Sequence, residues 1–157
     1  MDKIQSLKGM IDLIANRSDP DDFAESIFRT EDALKNIFVN FGYSEIRTPT
    51  LEDADLFKRS VGDSSDIVNK ELYSFLDKNE KNITLRPENT AGVIRSVIEK
   101  KIDVNTHKFW YLGPMWRYER PQKGRYRQFN QAGIEIIGYP EGVAELEIIS
   151  MICSINN

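Results

Sequence analysis

The stretch Met115-Trp-Arg-Tyr-Glu-Arg-Pro-Gln-Lys-Gly-Arg-Tyr-Arg-Gln-Phe-Asn-Gln-Ala-Gly-Ile-Glu-Ile-Ile137 decides the fold class. It reads as two strands, roughly Trp116 to Arg120 and Phe129 to Ile137. A cationic loop with Pro121, Lys123, Gly124, Arg125 and Arg127 joins them. Side chains alternate between faces along a strand. Arg117 and Glu119 therefore share one face of the first strand, and Phe129, Gln131, Gly133 and Glu135 share one face of the second. The opposite face of the second strand carries Ala132, Ile134 and Ile136, a core side. The polar face combines arginines, carboxylates, an amide, a ring and a gap at Gly133. That inventory suits an anionic ligand with a flat ring and a polar substrate beside it. The plain alternative is a wet surface of cross-strand ion pairs. Trp116, Tyr118, Tyr126 and Phe129 interleave with the charges and favour the ligand, because arginine forks onto phosphate and stacks on rings.

Working outward, Pro20 after Asp19 marks a helix start, with Asp21 and Asp22 in the first turn. Phe23, Ile27, Leu34, Ile37, Phe38 and Phe41 recur at near-helical spacing, and Gly42 ends the run. Tyr43 to Arg47 reads as a short strand stopped by Pro49, and Glu52 to Arg59 as a short helix. Val61 to Ser65 is a turn cluster. Glu71 to Leu76 and Ile83 to Arg86 read as strands. Ala91, Val93, Ile94, Val97 and Ile98 read as a helix capped by Asn89 or Thr90. Phe109 to Leu112 is an aromatic strand broken by Gly113 and Pro114. Val143, Leu146, Ile149, Ile152 and Ile155 form a final amphipathic helix. βαβ signals are few, so an α+β arrangement with an antiparallel sheet flanked by helices is expected. Neither GxxxxGK[ST] nor GxGxxG occurs, so a nucleotide would need a different scheme.

The 157 residues suffice for one domain with a core of its own. Hydrophobic and charged contents of 40% and 29% are those of an ordinary globular protein. A net charge of −4 argues against a generic polyanion binder and leaves room for a small basic pocket. Cys153 is the only cysteine, which excludes an internal disulfide and a cysteine zinc cluster. His107, the only histidine, reads as a surface or half-buried residue before a strand. No apolar run reaches membrane-spanning length and no signal-peptide core is present, so a cytoplasmic protein is expected.

The 115–137 run resembles motif 2 of class II aminoacyl-tRNA synthetases, and its Glu119 to Phe129 portion resembles the histidyl-tRNA synthetase family. Other segments match in the same order: Ser6 to Met10 resembles that family's N-terminal signature, and Phe41 to Pro49 is similar to motif 1. Leu56 to Gly62 and Leu85 to Gly92 also fit. The resemblance implies the N-terminal part of a class II catalytic core. It implies ATP-dependent activation of histidine to histidyl-adenylate and transfer to tRNA(His), with Mg2+ accompanying ATP. It also implies a homodimer formed through the motif 1 region.

Carried over residue by residue, the resemblance implies that Arg117 holds the α-phosphate and the histidine carboxylate. Glu119 contacts the adenine amino group, Arg125 the γ-phosphate, and Phe129 stacks on adenine. Glu88 and Thr90 hold the α-amino group, Gln131 contacts the amino acid, and Glu135 reads the imidazole N–H. Each has a structural alternative: Phe129 as sheet packing, and Glu88 with Thr90 as helix caps. No protein ligand for the metal is assigned. Asn89 replaces a usual glycine, and asparagine would tolerate a positive φ there. Tyr118 and Asn130 replace usual histidines and point away from the Arg117/Glu135 face. Motif 3 and an anticodon-binding domain do not occur within residues 1–157, so this stretch is expected to be incomplete for aminoacylation. Two rival readings are the synthetase-like regulatory subunit of ATP phosphoribosyltransferase and a tRNA-sensing synthetase-like module.

Overall fold

The computed structural model describes residues 3–16, 18, 22–62, 65–102, 106–120, 122 and 124–155. Its elements in chain order are α1 (Phe23–Asn40), β1 (Ser44–Glu45), β2 (Leu51–Asp53), α2 (Ala54–Val61), a π-helical turn (Ile67–Glu71), β3 (Tyr73–Leu76), β4 (Asn82–Leu85), α3 (Thr90–Glu99), β5 (His107–Trp116), β6 (Gln128–Ile137) and α4 (Val143–Ile155). The α+β expectation holds. The chain divides into two compact units. The first holds Met1–Asp12, Arg47–Lys100 and Gly113–Gln131; the second holds Leu13–Ile46, Lys101–Leu112 and Ala132–Asn157.

In the first unit, β4 pairs antiparallel with both β2 and β3, with Leu85 opposite Leu51 and Tyr73. Asp53 is extended and its carboxylate accepts from the Asp55 amide at 3.0 Å, so α2 starts after it. The helix expected from Glu52 therefore begins two residues later, and Glu52 belongs to β2. The turn expected at Val61 to Ser65 includes Asp63 and Ser64, which lie outside the described residues, as do Pro121 and Lys123 of the cationic loop. The π-helical turn takes Glu71 out of the strand expected from it. Phe57, Val93 and Met115 are fully buried.

β5 corrects the expected break at Gly113 and Pro114 by running unbroken to Trp116. A proline costs a strand only its own N–H, and the Pro114 carbonyl accepts from Arg86 Nε at 3.1 Å. Gly113 lets the Arg86 guanidinium approach, since a Cβ there would sit 3.0 Å from Nη2. Conversely, the strand expected over Trp116 to Arg120 stops at Trp116. The next amides leave the ladder: Arg117 N–H donates to the Arg127 carbonyl, Tyr118 N–H to Glu71 and Glu119 N–H to Arg117.

In the second unit, Asp22 caps α1 by accepting from the Glu25 amide at 2.7 Å. It is thus the cap rather than a first-turn residue, and Asp19, Pro20 and Asp21 lie outside the described residues. β1 pairs in parallel with β5, Ser44 facing Phe109, in a sheet of order β1-β5-β6. The expected strand over Tyr43 to Arg47 shrinks to those two residues. Phe38, Tyr43, Trp110 and Met151 form the core, with Ile134 and Ile136 packed against it, as alternation along β6 requires.

Glu147 fastens α4. It accepts from the Tyr43 hydroxyl at 2.7 Å and from Lys108 Nζ at 3.0 Å. Burial pushes its carboxyl up, but the Tyr43 hydroxyl and the Lys108 ammonium outweigh that and hold it below the usual range. A depressed carboxyl contributes stability above its ordinary pKa and loses it as the pH falls. Glu147→Gln, which keeps the shape and removes the charge, should cost about 1 kcal/mol at pH 7. The difference from wild type should shrink as the pH drops below ~4. Urea denaturation of both proteins across that range checks it, and a gap that persists in acid would refute the charge's role.

Candidate active site

The sequence-predicted residues fall in both units. Arg117 follows β5 directly. Its Nε donates to the Pro87 carbonyl at 2.9 Å, and its guanidinium carbon lies 5.1 Å from the centre of the Phe129 ring on β6. Cation–π contact and one carbonyl thus orient the fork. Among the described residues its two terminal nitrogens make no hydrogen bond, so they are the donors left for an anion. The bond to Pro87 also ties Arg117 to the segment that carries Glu88 and Thr90.

Glu119 and Arg125 form an ion pair at 3.5 Å, with the arginine exposed and the carboxylate mostly covered. Glu119 Oε2 is nevertheless buried without a hydrogen bond, and so is Gln131 Oε1. Buried acceptors left unpaired cost about 1–3 kcal/mol each, and in native proteins such groups mark a ligand, an ion or a water. Here both want an N–H donor.

Glu88 is already occupied. Its two oxygens accept from the Thr90 and Ala91 amides at 2.6 and 3.1 Å, so it caps α3, and the Asn89 side chain makes no capping bond. The cap expected from Asn89 or Thr90 side chains is thus supplied one residue earlier. Thr90 is exposed. Asn89 has φ −119°, so its place does not call on the left-handed conformation. It is buried instead, accepting from Thr48 Oγ1 and from Arg86. Tyr118 is turned to Arg127 and Tyr73, and Asn130 is exposed.

A groove of about 660 Å³ opens between α2 and α3. Glu88 and Thr90 reach it along with Arg59, Ser60, Arg95 and Glu99, but its exposed surface is mostly the apolar side chains of Leu56, Ala91, Ile94 and Ile98, and Arg117, Glu119, Arg125 and Phe129 take no part in it. The chemistry therefore rests with the arginine–ring–carboxylate cluster and not with this apolar depression.

In the second unit, Glu135 is half-buried on β6 and already has a partner. The gap at Gly133 is filled: the Tyr111 ring lies against it, and a Cβ there would overlap the ring. Tyr111 is buried and escapes a reading of β6 alone; the signal for it was the glycine itself, which leaves room for a ring from the neighbouring strand. Arg86 also escapes, although alternation along β4 places it on the same inner side as the buried Thr84. Among the described residues no group of three or more metal-ligating side chains occurs. None of the helices described is long and apolar enough to cross a membrane.

Comparison with known proteins bears on this cluster. The family model described as histidyl-tRNA synthetase matches residues 18–157. A histidine–tRNA ligase of Legionella pneumophila (strain Lens) is 50% identical over 153 residues, covering 96% of this chain and 34% of that protein. One from Pelobacter propionicus is 46% identical, covering 96% and 36%. Among solved structures, the apo histidyl-tRNA synthetase of S. aureus superposes with a TM-score of 0.75 at 36% identity, over 98% of this chain and 34% of that one. An ATP phosphoribosyltransferase regulatory subunit/histidyl-tRNA synthetase from Bacillus halodurans C gives 0.77 at 25% identity, over 99% and 38%. The chain spans about a third of the length of the curated relatives it matches. The chain belongs to the histidyl-tRNA synthetase family, whose fold is the α+β class II core.

Proposed function

We propose that this chain carries the ATP- and histidine-recognising part of a histidine–tRNA ligase, which joins histidine to AMP and then passes it to tRNA(His). The observation that carries the reading is the pairing of unsatisfied groups in one unit. Arg117 offers free donors to an anion, while Glu119 and Gln131 hold buried oxygens that want donors. ATP and histidine together supply that complement: phosphate and carboxylate for Arg117, the adenine amino group for Glu119, and the histidine ammonium for Gln131. Phe129 and Arg125 add the stacking surface and a cation for the γ-phosphate; for Glu135, in the second unit, the family resemblance alone implies the imidazole N–H as its ligand group. Glu88 and Thr90 join the amino-acid subsite only by sharing the Glu88 carboxylate with α3.

In the first step a carboxylate oxygen of histidine attacks the α-phosphorus and pyrophosphate leaves with its electron pair. Two anions must meet, so the work of the site is neutralisation and alignment. Mg2+ belongs with the ATP phosphates; the described residues form no cation cage of their own. The reading includes a homodimer built on α1 and β1, where Phe23, Phe28 and Val39 stand exposed, and a cytoplasmic location.

Histidine-dependent exchange of pyrophosphate into ATP tests the activity. Exchange that needs histidine supports the ligase. Histidine or ATP binding without exchange is expected of residues 1–157 on either reading; from a folded full-length protein it would favour the regulatory-subunit reading, which the similarity to the Bacillus halodurans structure keeps in view. Binding of neither would sink both.

A further inference from the structure

Arg127 looks like one more cation for phosphate, but its amide, its carbonyl and its Nε are engaged within the fold. Its amide donates to the Gly9 carbonyl at 2.6 Å, and its own carbonyl accepts from the Arg117 amide at 2.9 Å. Its Nε donates to the Glu119 carbonyl at 3.1 Å. Its guanidinium lies 3.9 Å from the centre of the Tyr118 ring. One residue thus grips the backbone at Arg117 and Glu119 and the ring of Tyr118, the segment that presents both the anion donor and a carboxylate oxygen buried without a hydrogen bond.

Gly9 completes the grip from the far end of the chain. Its φ of +83° suits glycine. A Cβ there would lie 2.9 Å from Arg127 Cγ and 3.2 Å from Cδ, so the N-terminal turn runs along the arginine stem. Its carbonyl also accepts from the Gln128 amide at 3.3 Å, at the start of β6. Ile4 and Leu7 beside it are exposed. The N-terminal turn is therefore held to this unit at the point where it clasps Arg127.

We propose that Arg127 is a positioning residue, not a phosphate ligand, and that the Gly9 turn latches it so that Arg117 and Glu119 hold their ligand-ready geometry. The nucleotide arm of the test rests on the ligase reading; the exchange arm does not. Arg127→Lys, Arg127→Met and Gly9→Val separate the two roles. Lysine keeps the charge but lacks the planar fork and the Nε donor, and Gly9→Val leaves every charge in place.

Amide hydrogen exchange followed by NMR should show the Arg117 and Arg127 amides exchanging about tenfold faster in all three variants, the worth of one lost hydrogen bond, with β4 amides unchanged. Affinities for adenosine and for ATP should fall together by about the same factor, and the Gly9 and Arg127 changes should be non-additive. Unchanged exchange would overturn the latch. So would a lysine variant that keeps ATP affinity beside a methionine variant that loses ATP but not adenosine, the pattern of a direct phosphate contact. If the wild type binds neither nucleoside nor nucleotide, the ligase reading fails and the exchange rates alone decide the latch.

Discussion

Arg117→Ala should lower histidine-dependent pyrophosphate exchange by about 10²–10³-fold, some 3–4 kcal/mol of transition-state stabilisation, and lower the stability in urea by only about 1 kcal/mol. The guanidinium is oriented before any ligand arrives, by the Pro87 carbonyl at 2.9 Å on Nε and by the Phe129 ring at 5.1 Å. Its remaining donors would meet the two groups that react, and negative charge gathers between them as the new bond forms. Donors fixed in advance spare the reorganisation that water would need, and that is the source of the large factor. The structural loss is limited to about 1 kcal/mol, because only the buried Pro87 carbonyl loses a donor and the ring keeps its place in β6. Arg117→Lys should recover only part of the rate, since a point charge cannot bridge two oxyanions as a planar fork does. An alanine variant that loses less than tenfold would remove Arg117 from the reaction. One that unfolds would make it a structural residue.

Local patterns in the chain announce what depends on near neighbours. Alternation along β6 put Ala132, Ile134 and Ile136 on the core side; the two isoleucines pack there while Ala132 is exposed, and the 3.6-residue rhythm found α1, α3 and α4. The motif 2 residues were legible as a family of types, and the structure does bring Arg117 to Phe129 and Glu119 to Arg125. What stayed hidden depends on remote partners. Gly113 and Pro114 read as a strand break because the groups that make them tolerable belong to Arg86, far away in sequence. Glu88 was weighed both as a ligand residue and as a helix cap, and its two short bonds to amides show the cap. The π-helical turn carries no periodicity to reveal it, yet its Glu71 carbonyl takes the Tyr118 amide out of the ladder and so ends β5. α4 shows the apolar stripe foreseen for it, with Val143, Leu146, Ile149, Ile152 and Ile155 all exposed and Met151 alone fully buried among the described residues of the helix.

Arg86→Met should destabilise the first unit by about 3–5 kcal/mol, the sum of several buried acceptors losing their donors at roughly 1–3 each. The side chain is buried and reaches three segments at once. Nε serves the Pro114 carbonyl at 3.1 Å. Nη1 serves the Thr48 carbonyl at 3.0 Å, the Thr48 hydroxyl at 3.1 Å and Asn89 Oδ1 at 3.4 Å. Methionine fills much of the stem's volume, so the loss isolates the donors from the packing. The backbone bonds of residue 86, from its amide to Thr50 and from Trp116 to its carbonyl, need no side chain and stay available. Arg86→Lys should rescue less than half, because one ammonium cannot span acceptors that a fork reaches in separate directions. Denaturant midpoints at neutral pH measure both variants, and a methionine variant within ~1 kcal/mol of wild type would show that the network is ornamental. Two of the three segments that Arg86 joins, those of Pro114 and Asn89, lead into Arg117 and Glu88, so loosening them should also weaken nucleotide binding. That order of effects, stability first and affinity after, is the reverse of the order expected for Arg117. Measuring both properties in both variants therefore separates the residue that builds the site from the one that acts in it.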